Sequence, residues 1–294
     1  MLHDFTAIDR FIRIDDVAEL NWGNHKNTAS SNSRSIRAIM RCWIPTAALQ
    51  NGNELQEGNV MNVNELTAET LAGMIDQTLL KPDATLEQLR KHCEGAAKYH
   101  FKTVAINNAP VPFCKKILEG TGVLCDAAVS FPLGQCTIET KVFETIDVIE
   151  KGAGEVDYVV NLVELKSGNW DYVEEEMRRI VEACRERGIT SKVIFENCYL
   201  TDDEKKKLCE VALRVKPVFI KTSTGFGTHG ATVDDVRLMK SCVGDKLLIK
   251  AAGGIRTAEQ ALAMIEAGAS RIGTSRGIEI VEGFKSMQNT REKQ

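Results

Sequence analysis

From residue 61 onward the chain repeats one unit, a short apolar, β-branched run followed by an amphipathic stretch with a charged face. The runs fall at 74–80, 103–107, 123–131, 156–162, 192–196, 218–222, 247–252 and 271–274. Between them, 85–99, 137–151, 170–187, 201–215, 232–242 and 257–267 carry helical periodicity. Several open on Thr with an acid soon after, as in Thr201 to Glu204 and Thr257 to Glu259, and several close on glycine: Gly152, Gly188 and Gly268. Eight strand–helix units spaced by roughly 25–30 residues predict one closed (β/α)8 barrel, a TIM barrel. The rival, a doubly wound open sheet, more often shows fewer strands and a Gly-x-Gly-x-x-Gly after the first. That fingerprint is missing from the sequence.

The barrel is expected over 62–285, followed by a tail over 286–294. Residues 1–61 read as an N-terminal extension, poorly ordered or the product of a start assigned too far upstream. Stretch 21–35 is polar, 51–59 resembles a linker, and Thr67 or Asn64 can cap a first helix. With 37 Lys and Arg against 41 Asp and Glu, net charge −4, no general basic excess exists to hold nucleic acid or anionic lipid. No apolar stretch is long enough for a transmembrane helix and no secretory leader opens the chain, so a cytoplasmic location is expected. Nine scattered cysteines with no Cys-x-x-Cys pair predict reduced, mostly buried thiols. His3, His25, His92, His100 and His229 form no metal-binding spacing, so neither metal nor other cofactor is expected.

Three charged residues sit in runs too apolar to welcome them: Asp157 in EVDYVVN, Lys221 in VFIKTSTGF and Lys250 in LLIKAAGG. A buried charge must be paired, neutralised or used. A single such lysine reads most simply as half of a structural ion pair or as a strand-end side chain reaching for water. Two on neighbouring strands, ~4.8 Å apart, together with an acid, point to chemistry. Like charge and burial both depress a lysine pKa. An unperturbed lysine is neutral in about one molecule in 2,500 at pH 7, and one tuned to ~7 is half neutral, as a Schiff-base nucleophile requires. Asp157 can then move protons, with Lys250 as its partner and Asp76 in MIDQTLLKP as support, although Asp76 alone reads equally well as a turn cap. Glu196 in KVIFEN divides evenly between a structural pair and a wall of the site.

A second constellation suits an anion. Gly253 and Gly254 follow the seventh run, and Gly273, Thr274 and Ser275 lie just before a helix. Glycines let backbone N–H groups approach a ligand, and the loops after strands seven and eight are the usual phosphate cradle of such barrels. Thr222 and Thr224 add hydroxyls beside Lys221. The composite is an amine nucleophile, a proton relay and a phosphorylated small substrate.

These residues carry a resemblance. IDQTLLKPDAT (75–85), FPLG (131–134), EVDYVVN (155–161), FIKTSTGFGT (219–228), IKAAGGIRT (249–257) and RIGTS (271–275) resemble, in that order, the deoxyribose-phosphate aldolases, metal-free Schiff-base lyases of deoxyribonucleotide and carbohydrate catabolism. The likeness spans roughly residues 66–284. It implies reversible cleavage of 2-deoxy-D-ribose 5-phosphate to acetaldehyde and D-glyceraldehyde 3-phosphate. It also implies that Lys221 forms the Schiff base, Lys250 lowers its pKa, Asp157 is the acid/base group and Asp76 supports the relay. Gly253, Gly254, Gly273 and Ser275 would hold the phosphate, with Thr222 and Thr224 lining the site. Three positions depart from the family pattern: Ala105 stands where cysteine is common, His229 and Arg276 where small residues are. Arg276 can strengthen or crowd the phosphate site. A homodimer is compatible with the sequence without being read from it. Two other readings remain open at this point: another Schiff-base sugar-phosphate lyase or transaldolase-like enzyme, and a non-catalytic sugar-phosphate-binding barrel.

Overall fold

A computed structural model of the chain describes residues 63–291. The expectations for 1–61, Cys42 and the last three residues of the tail lie outside them. Eight parallel strands close in chain order, with β1 pairing both β2 and β8. They are β1 Ile75–Leu79, β2 Thr103–Ile106, β3 Leu124–Val129, β4 Glu155–Val159, β5 Thr190–Ile194, β6 Phe219–Lys221, β7 Leu248–Ala252 and β8 Arg271–Thr274. The (β/α)8 barrel is therefore the observed architecture.

The helices are α1 Ala68–Ala72, α2 Leu86–Tyr99, α3 Val111–Leu118, α4 Ile138–Glu150, α5 Leu162–Lys166, α6 Trp170–Arg185, α7 Asp202–Val215, α8 Val233–Val243, α9 Ala258–Glu266 and α10 Gly277–Arg291. Six start on a threonine: Thr67, Thr85, Thr137, Thr201, Thr232 and Thr257 each accept from a backbone N–H three residues on. Each such cap is worth about 1 kcal/mol. Gly152, Gly188 and Gly268 adopt positive φ after α4, α6 and α9.

Two helices were not anticipated, and a third runs further than expected. α3 follows Pro110. α5 begins where the fourth apolar run was expected to continue as strand. Asn161 there accepts from the N–H groups of Val163 and Glu164, which turns the chain into helix after Val159. α10 continues to Arg291, into the stretch expected as a tail. Among the described residues, no helix is long and apolar enough to cross a membrane, and the eight cysteines are free, five of them buried.

Alternation along the strands positions everything that follows. Ile75, Val104, Ile106, Cys125, Ala127, Val129, Val156, Tyr158, Val193, Ile220, Ile249, Ala251 and Ile272 join one hydrophobic core with the helices. The alternate strand residues point into the barrel, and many are charged: Asp76, Asp126, Glu155, Asp157, Lys192, Lys221, Lys250 and Arg271, all buried. Barrel interiors are usually filled with branched apolar side chains. Here the apolar work is done between sheet and helices, and the inside is polar.

Candidate active site

Four carboxylates meet four cations inside the barrel. Near the strand starts, the Arg271 guanidinium lies 2.7 Å from Asp76 and 3.0 Å from Glu155, over the Phe219 ring. Further along, Lys192 Nζ reaches Asp126 at 2.9 Å, Glu155 at 2.7 Å and Asp157 at 2.8 Å. Lys250 Nζ lies 2.5 Å from Asp76, 2.9 Å from Asp126 and 2.7 Å from Asp157. Lys221, last residue of β6, lies 2.6 Å from Asp157. Oxygens of Asp76, Asp126 and Glu155 come within 4.8 Å of one another, close enough to surround a cation; the cations that meet them here are side chains.

Lys221 and Lys250 are direct partners in the β6–β7 register, and their environments drive them apart. Burial pushes the Lys221 amine below its ordinary pKa; Asp157 pulls back upward, and the charge of Lys250 pushes it down again, leaving it lowered. Burial would lower Lys250 too, but Asp126, Asp157 and Asp76 outweigh it and hold that ammonium above its ordinary value. Burial would raise Asp157, yet Lys192, Lys221 and Lys250 keep its carboxyl well below the usual range. Asp76 behaves likewise under Arg271, Lys250 and Lys192. Asp126 is the exception: burial and its neighbour Asp157 prevail, pushing it up to about 6. The cluster thus holds one amine that grips its proton less tightly than usual beside one that grips it more tightly.

Lys221 opens into a cavity of about 340 Å³. Thr224, Gly253, Gly254, Gly273 and Ser275, all named from the sequence as candidate site residues, line it together with Lys81 and Arg256. Gly253 and Gly254 take φ of +87° and +80°, a region that glycine enters without the strain a side chain would bring. α10 begins two residues past Ser275 and presents its N-terminus to the same end, where an anion is favoured. The loops after β6 and β7 are in contact: the Ala231 N–H lies 3.0 Å from the Ala252 carbonyl and 3.1 Å from that of Gly253. A Cβ on Gly230 would run into the Gly253 carbonyl.

Other expected residues fall elsewhere. Thr222 is fully buried and does not reach the cavity, because its hydroxyl is engaged with the backbone N–H and carbonyl of Ala252 on the next strand. Asp76 is the second residue of β1, deep in the barrel rather than at the strand end. Glu196 accepts from both the N–H and the hydroxyl of Thr224, so it braces the loop that carries Thr224. Ala105 points inward from β2, in register between Thr78 and Asp126. His229 is exposed on the loop before α8. Arg276 pairs with Glu279 in the first turn of α10 at 2.8 Å and does not line the cavity. Four members of the network were missed: Asp126, Glu155, Lys192 and Arg271. They share inward parity with Asp76, Asp157, Lys221 and Lys250, and that shared parity is the signal that identifies them.

A closed parallel barrel with a buried lysine opening into a glycine-walled cleft at the strand ends has the architecture of a barrel enzyme. The profile of the DeoC/LacD family aldolases matches residues 70–283. A deoxyribose-phosphate aldolase of Lactobacillus acidophilus is 55% identical over 219 residues, which is 74% of this chain and 92% of the relative. Another from Bacteroides thetaiotaomicron is 52% identical over 231 residues, 77% of this chain and 97% of the relative. A tetrameric deoxyribose phosphate aldolase from Aeropyrum pernix superposes with a TM-score of 0.72 at 33% identity, covering 76% of this chain and 95% of its own. The chain belongs to the DeoC/LacD aldolase family.

Proposed function

We propose that the protein cleaves 2-deoxy-D-ribose 5-phosphate, reversibly, to acetaldehyde and D-glyceraldehyde 3-phosphate through a Schiff base on Lys221. The observation that carries this reading is Lys221 itself: a pKa-lowered amine at the base of the cavity, paired across the register with a lysine that stays charged. The neutral amine adds to the substrate aldehyde, and loss of water gives an iminium. The C2–C3 bond then breaks as the C3 hydroxyl gives up its proton. The bonding electrons pass to the iminium as an enamine, and glyceraldehyde 3-phosphate leaves. Protonation of the enamine carbon and hydrolysis release acetaldehyde and restore the amine. Asp157, within hydrogen-bond reach of Lys221 and Lys250, is the group assigned to proton movement, with Asp76 holding Lys250 from below. The glycine backbone of 253–254, Gly273, Ser275 and Thr224 takes the phosphate end. Thr222 supports that wall rather than touching substrate.

Borohydride reduction in the presence of substrate or acetaldehyde, followed by peptide mass mapping, tests the assignment. A reduced adduct on Lys221 is expected; turnover with no label there would overturn it. Self-association and a cytoplasmic location belong to the same reading. The first is supported by the tetrameric relative from A. pernix, the second by a charged substrate that does not cross a bilayer unaided.

A further inference from the structure

Lys192 plays no part in the reaction as read so far, yet its ammonium meets more carboxylates than any other cation in the barrel. Nζ lies 2.8 Å from Oδ1 of Asp157, 2.9 Å from Asp126, 2.7 Å from Glu155 and 3.9 Å from Asp76, with the side chain fully buried. Of these contacts the one to Asp157 is a hydrogen bond, and Asp126 and Glu155 meet the ammonium as ion pairs at similar distance. The two oxygens of Asp157 are divided: Oδ1 receives Lys192, and Oδ2 receives both Lys221 and Lys250. Turning that carboxylate would break all three contacts.

We propose that Lys192 is a positioning residue for the aldol reaction: by holding Oδ1 of Asp157, it presents Oδ2 between Lys221 and Lys250. This inference rests on the Schiff-base reading given above. Lys192 also sets the local charge. The groups around it are Asp76 on β1, Asp126 on β3, Glu155 and Asp157 on β4, Lys221 on β6, Lys250 on β7 and Arg271 on β8. Cys184 of α6 lies on its outer side, and Lys102, leading into β2, acts on Glu155 and Asp76. Removing the Lys192 cation makes Asp157 easier to protonate and takes positive charge away from the Lys221 amine, so both groups titrate at higher pH. Removing the Asp126 anion does the reverse, because that carboxylate favours the charged form of Lys221 and repels Asp157.

The experiment compares K192M, K192R and D126N in the whole chain. The readouts are kcat and KM on 2-deoxy-D-ribose 5-phosphate, the pH profile of kcat/KM, borohydride trapping and thermal unfolding. For K192M, kcat is expected to fall roughly 10- to 100-fold with KM little changed. Its acid limb should move to higher pH, and K192R, which keeps the charge, should return the limb toward its wild-type position. For D126N the limb should move to lower pH. A folded K192M with wild-type kcat overturns the proposal, as does a lowered kcat with an unmoved limb, which marks a merely structural role. Loss of the ammonium leaves buried carboxylates short of a partner and can cost the fold. In that case D126N decides: a limb that stays put or rises overturns the proposal. Wild-type protein that turns over without a label on Lys221 fails the aldolase reading first, and this inference with it.

Discussion

Lys221 and Lys250 donate to the same oxygen, Oδ2 of Asp157, at 2.6 and 2.7 Å. One carboxylate oxygen therefore bridges two amines that titrate in opposite directions from the ordinary lysine value. The sequence offers like-charge repulsion and burial together as causes, without ranking them. Burial is the larger influence on Lys221, and Lys250 resists it because it touches three carboxylates where Lys221 touches one.

Replacing Lys221, the proposed nucleophile, separates chemistry from charge. K221M and K221R should each lose at least about a thousandfold in kcat, the arginine because its guanidinium does not lose a proton at working pH. Steady-state assays and the loss of borohydride labelling check this together.

K250M removes the neighbour that keeps a proton off Lys221. The Lys221 pKa rises, so its neutral fraction at pH 7 falls, and kcat/KM should drop roughly 10- to 100-fold. The acid limb of the pH–rate profile should move to higher pH, so part of the loss should return in alkaline buffer.

Lys81 and Arg256 line the cavity, and neither side chain has a partner among the described residues. K81A and R256A should each raise KM for the phosphorylated sugar, by about 1.5–3 kcal/mol in binding for a charge-assisted contact. Turnover of unphosphorylated 2-deoxyribose should be unaffected. Parallel kinetics on the two sugars measure the difference.

Asp126 links stability to pH. Its carboxyl titrates at about 6 in the folded protein against an ordinary 3.8. A raised value means that its contribution to stability is fully present below about pH 4 and is lost as pH rises through 6. D126N lacks this term, so its stability relative to wild type should improve by up to about 3 kcal/mol between pH 4 and 7.5. Urea unfolding of both proteins across that range gives the comparison.

A second buried pair lies outside the site. Lys141 and Glu176 meet at 2.6 Å with both side chains fully buried. Lys141 also donates to the Val159 carbonyl, and Glu176 accepts from the Asn161 N–H, which pins the end of β4 to the start of α5. E176Q or K141M should cost about 3–5 kcal/mol in denaturant unfolding, and the double replacement K141M/E176L less than the sum.

Much of this was readable from the chain. The eight apolar runs became the eight strands, and the threonines before the helices became their caps, because both signals are local. Lys221, Lys250 and Asp157 stood out as charges in apolar surroundings. Lys192 and Arg271 did not, because each opens its run or sits near its start, where a charge also suits a solvated strand end. Only closure of the barrel brings them against Asp76, Asp126 and Glu155, residues as far as 195 positions away in the case of Asp76 and Arg271. The misplacement of Thr222 has the same origin: a hydroxyl that could face a ligand faces instead the neighbouring strand, and only the register decides which.

The contact between Gly230 and Gly253 bears on how this cleft can change. The loops after β6 and β7 abut there through bare backbone, hydrogen-bonded to each other, so neither swings as an independent flap. Substrate meets a recess already shaped, and even a methyl group added to either glycine would prise its rim apart. Variation in what the barrel accepts is therefore expected from side chains that line the cavity, such as Lys81 after β1, rather than from reshaping the glycine turns.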